Sequence, residues 1–147
     1  MIFRKINSTF ANVKFKKKIK WIKKKQQKKT VLETSIFLQI KQHLGLYYSI
    51  MKQQNKDFKT CFFHDCCREI QLALYSIKNA YMEKEREKKC YYLSDALMHL
   101  TNLEVTYDTM ISIRDFNANL ARRLLENLSI SIVQCNNWLT ANKLEQK

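Results

Sequence analysis

The sequence has no proline and a single glycine, Gly45, in 147 residues. Tight hairpins and sharp loops draw on those two residues. Their scarcity excludes a turn-rich sheet protein and favours long helices joined by short polar links. No apolar run approaches the ~20 residues of a spanning helix, so no membrane partner is expected. The N-terminus lacks the uninterrupted apolar stretch of a signal peptide. No glycine-rich loop is present to cradle a nucleotide phosphate. One further absence is local: positions 1–30 hold no acidic residue.

Hydrophobic residues make up 46% of the chain, enough for one core in a chain of one-domain length. The net charge of +14 is unevenly spread. Arg4, Lys5, Lys14, Lys16, Lys17, Lys18, Lys20, Lys23, Lys24, Lys25, Lys28 and Lys29 all precede position 31. Residues 31–147 carry the other 15 cations and all 13 acids, a balance of +2. The chain therefore reads as a basic N-terminal arm, 1–30, and a helical domain, 31–147. A polyanion, nucleic acid or an anionic surface, is the natural partner of such an arm. An AT-rich genome also enriches Lys, Asn, Ile and Tyr, but drift alone would not clear acids from 30 consecutive positions.

Cys61, Cys66, Cys67, Cys90 and Cys135 are an odd set, read as free thiols of a reducing cytosol. A cytoplasmic location is expected.

Within the arm, Phe3, Ile6, Phe10 and Val13 recur at helical spacing before lysines take over. Four amphipathic helices are predicted after it. The first spans about 30–54, with Thr30 and Glu33 as a capping box and Leu32, Ile36, Ile40, Leu44, Tyr47 and Met51 as its stripe. The second spans about 59–88, with a seam of Phe63, Cys67, Ile70, Leu74, Ile77 and Tyr81 near a heptad step. The third spans about 90–112, with Leu93, Ala96, Leu97, Leu100, Leu103, Tyr107 and Met110. The fourth spans about 115–142, with Leu120, Leu124, Leu128, Ile132, Cys135 and Leu139. Short links between long helices favour antiparallel neighbours, hence an all-α, up-down-up-down four-helix bundle.

Chemistry is sparse. Cys61, His64 and Cys67 share a helix face, but zinc takes four ligands and no second Cys/His pair at finger spacing follows. Buried thiols acting as small hydrophobes account for them, and no metal or cofactor is expected. His43 and His99 are isolated, read as surface or interface histidines, and no carboxylates pair for acid–base work. No catalytic residue is assigned, and a non-enzyme is expected. The arm carries the strongest signal. Its lysines neutralise phosphates by releasing counterions, and Phe3, Phe10, Phe15 and Trp21 interleave with them as rings able to stack on unpaired bases. On the bundle, Arg68, Lys78, Arg122 and Arg123 are further phosphate candidates, with Arg86, Lys88 and Lys89 behind them. Trp138 is expected to cap the core or meet a neighbouring subunit.

Several segments carry a resemblance. They are Phe58-Lys59, then Arg68-Glu69-Ile70, then Ser76-Ile77-Lys78-Asn79-Ala80, then Tyr92-Leu93-Ser94-Asp95-Ala96-Leu97 with Leu100 and Leu103, then Leu124-Leu125 leading to Trp138-Leu139. Residues 58–142 resemble the four-helix-bundle family of diversity-generating retroelement accessory proteins (Avd-like) and proteins of ribosomal-RNA intervening sequences. The chain lacks the proline beside the Phe-Lys pair and the glycine before the closing tryptophan that the family often has. The long lysine arm is not a general family feature either. The resemblance implies a non-catalytic subunit that binds a reverse transcriptase and its RNA, with DNA left open. It also implies a homo-oligomeric ring, a pentamer in the Avd branch. The competing reading is an oligomeric scaffolding bundle with no nucleic-acid ligand. A third is a membrane-surface protein using Phe3, Ile6, Phe10 and Val13 as its apolar face.

Overall fold

The computed structural model describes residues 12–14, 16–17, 34–54, 56–113 and 116–144, and for 56–61 the backbone alone. Backbone contacts divide the chain into two compact units, Met1–Thr30 and Val31–Lys147. In the first unit residues 12–14 and 16–17 are helical, and Lys14, Lys16 and Lys17 are exposed. The remaining arm positions named above, Arg4, Lys5, Lys18, Lys20, Trp21, Lys23, Lys24, Lys25, Lys28 and Lys29, lie outside the described residues, as do Leu32 and the Thr30–Glu33 capping box.

The second unit contains four long helices, α1 (Ser35–Lys52), α2 (Lys56–Met82), α3 (Arg86–Ile111) and α4 (Ala118–Leu144), and no strand among the described residues. Their ends sit where side chains or turns satisfy terminal amides and carbonyls. Thr34, in extended backbone, precedes α1, so that helix begins later than the sequence suggests. At its other end Gln53 folds back onto the Ile50 carbonyl, with Lys52 in the last turn complementing the helix dipole. Between α2 and α3 the Glu83 carboxylate accepts the amides of Lys84 and Glu85, each at 2.9 Å. That local cap closes the turn within three residues and starts α3 at Arg86 instead of Cys90. Asn117 begins α4 in the same way, its Oδ1 accepting the Asn119 amide at 2.9 Å. The expected start at Asp115 is therefore displaced.

Packing contacts join α1 to α2, α2 to α3, α3 to α4 and α4 back to α1, so the four helices enclose one core. The stripe of α3 is buried as its periodicity requires, with Leu93, Ala96, Leu100, Leu103, Tyr107 and Met110 sealed from solvent and Leu97 half-buried at the edge. In α4 Leu124, Leu128, Cys135 and Leu139 are buried, while Leu120 and Ile132 are half-buried and Ala121 and Ser131 complete the seam. Trp138 is half-buried against this core. The α2 seam is rotated from the predicted one. Cys66, Ile70, Ala73, Ile77 and Ala80 are buried, Phe63, Cys67 and Leu74 flank them, and Tyr81 is 37% exposed. The small side chains of Ala73 and Ala80 let neighbouring helices close in, so bulk moves to the flanks; hydrophobicity alone ranks those positions the other way.

His43 is a correction. It is 1% exposed, at the centre of the core. Its Nδ1–H donates to Asn127 Oδ1 at 2.8 Å, and the Tyr107 hydroxyl donates to its Nε2 at 2.7 Å. Burial holds the imidazole pKa below its ordinary value, the hydrogen bond to Asn127 opposing this in part. Tyr47 lies beside it, stacked on Tyr107 at 6.0 Å, its hydroxyl donating to the Phe62 carbonyl at 3.1 Å. Three helices are thereby keyed to α1 through one polar network inside an apolar core.

Candidate nucleic-acid interface

The side chains of α2 divide by direction. Arg68, Gln71, Tyr75, Lys78 and Met82 follow one another in steps of three and four, so they form one ridge, and all five are exposed. No acid interrupts that ridge. Glu69 of the same helix turns toward α3, and Asp95 of α3 faces back toward α2. Glu69 Oε2 meets His99 Nδ1 at 2.7 Å and accepts Asn102 Nδ2 at 3.4 Å. Asp95 Oδ2 stands 3.5 Å from His99 Nε2 and accepts the Ser76 hydroxyl. Beside them lies a groove of about 510 Å³, lined among others by Asp65, Arg68, Glu69, His99 and Asn102. His99 is therefore neither isolated nor a plain surface residue. Both its ring nitrogens face carboxylates supplied by two helices, a pairing of acids that the sequence reading did not find.

On the opposite flank, α1 contains no acidic residue at all. Lys41, Gly45, Tyr48 and Lys52 form its exposed ridge. That ridge borders α2, since the Tyr48 ring packs edge-on against Phe63 at 6.1 Å. Two neighbouring helices thus present Lys41, Lys52, Arg68 and Lys78 together with two exposed tyrosines, Tyr48 at 56% and Tyr75 at 61%. Sequence reading singled out Arg68 and Lys78 but missed Lys41, Lys52, Tyr48 and Tyr75. The signal was available: α1 carries lysines and no acid, on the face away from its apolar stripe.

Arg122 and Arg123 are exposed on α4, and Arg122 Nη1 donates to Asn119 Oδ1 at 3.2 Å. Helix α4 has no packing contact with α2, lying diagonally across the bundle. The structure brings Arg68 and Lys78 together on one helix and leaves the arginine pair elsewhere. Lys88 is committed to Glu85 at 2.8 Å, an exposed pair of little energetic weight. Arg86 and Lys89 stand in the same first turn of α3.

The thiols behave as packing. Burial pushes the Cys66 pKa up to about 11 and that of Cys135 to about 12, and raises Cys67 as well. A thiol held protonated is a poor nucleophile and a poor metal ligand. Cys135 instead donates to the Leu93 carbonyl at 3.4 Å. His64 is exposed, and the Cys61 side chain lies outside the described ones. Among the described residues no group of three or more His, Cys, Asp or Glu is placed to share a metal ion. Nor is any described helix long and apolar enough to cross a membrane.

No family model, curated protein or solved structure matches the chain.

Proposed function

We propose that the chain is a non-catalytic, cytoplasmic nucleic-acid-binding protein that serves a retroelement reverse transcriptase and its RNA as an oligomeric accessory subunit. The observation that carries this reading is the sorting of charge around α2. Lys41, Arg68 and Lys78 stand exposed on ridges of α1 and α2 that hold no acid, while Glu69 and Asp95 are engaged by His99. Phosphates are bound by cations that the protein's own carboxylates have not already neutralised. The exposed Lys14, Lys16 and Lys17 extend the same chemistry to the first unit, read as a basic arm. The proposed up-down-up-down order is supported by contacts whose numbers run in opposite directions. Glu69 meets His99 while Ser76 meets Asp95, and His43 meets Asn127 while Ser35 meets Gln134. The reverse transcriptase, and a pentameric ring that would multiply modest affinity into avidity, rest on the resemblance of residues 58–142.

Gel shifts at rising salt test this reading. RNA binding should fall steeply between about 50 and about 200 mM salt. It should weaken strongly in a full-length variant whose arm lysines and Arg4 are replaced by Gln. Unchanged affinity in that variant would remove the arm from the reading. Failure of any RNA or DNA to shift at low salt would favour the second reading, an oligomeric scaffold. That alternative has its own support. Tyr91, Met98 and Val105 repeat every seven residues on α3 and are 68%, 48% and 67% exposed, an uncharged stripe of the kind helices use to associate.

A further inference from the structure

Four tyrosines are exposed on the described helices, Tyr48, Tyr75, Tyr81 and Tyr91, and Tyr81 is the least exposed of them at 37%. Tyr48 is held edge-on against Phe63, and Tyr91 lies edge-on to Tyr92 at 5.7 Å. Tyr75 is 61% exposed and makes no hydrogen bond or ring contact among the described residues. It sits mid-ridge, with Arg68 seven residues before it, Gln71 four before, and Lys78 three after. At 1.5 Å per residue the two cations lie about 10 Å and about 5 Å from it along the helix axis. A ring between two cations, with no acid on the ridge, matches what an unpaired strand offers: a base face flanked by phosphates. A duplex presents phosphates but keeps its base faces stacked inside, so it can use only the cations.

We infer that Tyr75 is a base-stacking residue and that it makes the α2 ridge select single-stranded over double-stranded nucleic acid. This rests on the nucleic-acid reading above and adds the form of the ligand to it. Arg68 and Lys78 supply sequence-independent attraction to either form. Tyr75 supplies the discrimination, through a contact that releases no counterions and so does not fade with salt.

Fluorescence anisotropy of the full chain with labelled oligouridylate and with an RNA duplex of equal length tests the assignment. Tyr75→Ala should weaken oligouridylate binding about 5- to 150-fold, the span of one base–ring contact, and leave the duplex unchanged within about twofold. The loss ratio should hold constant as salt rises. Tyr75→Phe, which keeps the ring, should bind as the unaltered chain does. Arg68→Gln with Lys78→Gln should weaken both ligands alike, with a shallower salt dependence. Because Tyr75 is exposed, unchanged helical circular dichroism should accompany every variant. Equal affinity of Tyr75→Ala and the unaltered chain for oligouridylate would overturn the inference, as would equal loss for strand and duplex. In either case the nucleic-acid reading would survive. If the unaltered chain binds neither RNA at low salt, that broader reading falls and takes the inference with it.

Discussion

Helix α2 has two unlike sides, although both are built from the same run of residues. Toward α3 it offers Glu69 and Ser76, which engage His99 and Asp95 across the helix pair. Outward it offers Arg68, Tyr75 and Lys78, with Arg68 at the rim of the groove that Asp65 and Glu69 line, and the neighbouring α1 has no acids. The balance of +2 over residues 31–147 conceals this division, because it averages over faces. Charge in a helical bundle is assigned by direction around each axis, and two residues adjacent in sequence, such as Arg68 and Glu69, are directed apart by 100°. Net charge is thus a weak guide to what a bundle can bind. The sign on each face, and whether its acids are already engaged, is the stronger one.

The contrast depends first on α1 being held in register against its neighbours. Tyr107 does much of that holding, through His43 and Tyr47. Tyr107→Ala should destabilise the fold by about 3–5 kcal/mol, the usual cost of truncating a large core aromatic, and strand the His43 ring nitrogen as well. Chemical denaturation would read this as a lower midpoint, and loss of nucleic-acid binding should follow only where the fold is lost. A second variant acts on one side alone. Arg68→Glu with Lys78→Glu should reduce RNA affinity by about tenfold or more and flatten the salt slope by roughly two, one per phosphate contact, while the denaturation midpoint barely moves. An unchanged affinity would assign all polyanion binding to the arm.

Acid acts on the buried histidine of the core. His43 is kept neutral by burial, so its pKa in the fold lies below its value in the unfolded chain. Above pH ~6.5 both states are neutral there and stability is complete. Below that value the unfolded chain takes up a proton that the fold refuses, and stability falls toward the lowered folded pKa. Denaturation midpoints at pH 7.5 and pH 5.5 should show the decline, and it should be smaller in His43→Gln. The smallest effect expected is at Gly45. It is exposed mid-helix on the α1 ridge, and a Cβ there would meet nothing within 4 Å. Gly45→Ala should therefore raise stability by about 0.5–1 kcal/mol without altering the cationic side.

Much of the bundle was legible from periodicity. The stripe of α3 and most of that of α4 needed only apolar residues at three- and four-residue steps, because a helix buries whichever face is apolar. The seam of α2 was legible only in part. Its alanines are buried because neighbours approach closely there, and approach distance is not a property of the strand of sequence being read. The candidate interface divides in the same way. Arg68 and Lys78 are visible as cations on a helix, whereas the engagement of Glu69 is not, since its partner, His99, lies 30 residues away. The core network is further out of reach: His43 joins Tyr107 and Asn127 across 64 and 84 residues.

The sequence by itself determined that this chain is helical, that its links are short, and that its lysines crowd into an acid-free leader. Those properties follow from composition and local spacing, which act on neighbours in the chain. Only the tertiary structure decided that His43 is interior and His99 clamped, that α4's arginines stand apart from α2's cations, and that Tyr75 is exposed with no hydrogen bond or ring contact among the described residues. Each of those depends on which helix faces which. That pairing is set by packing between residues far apart in the chain, where no local pattern records it.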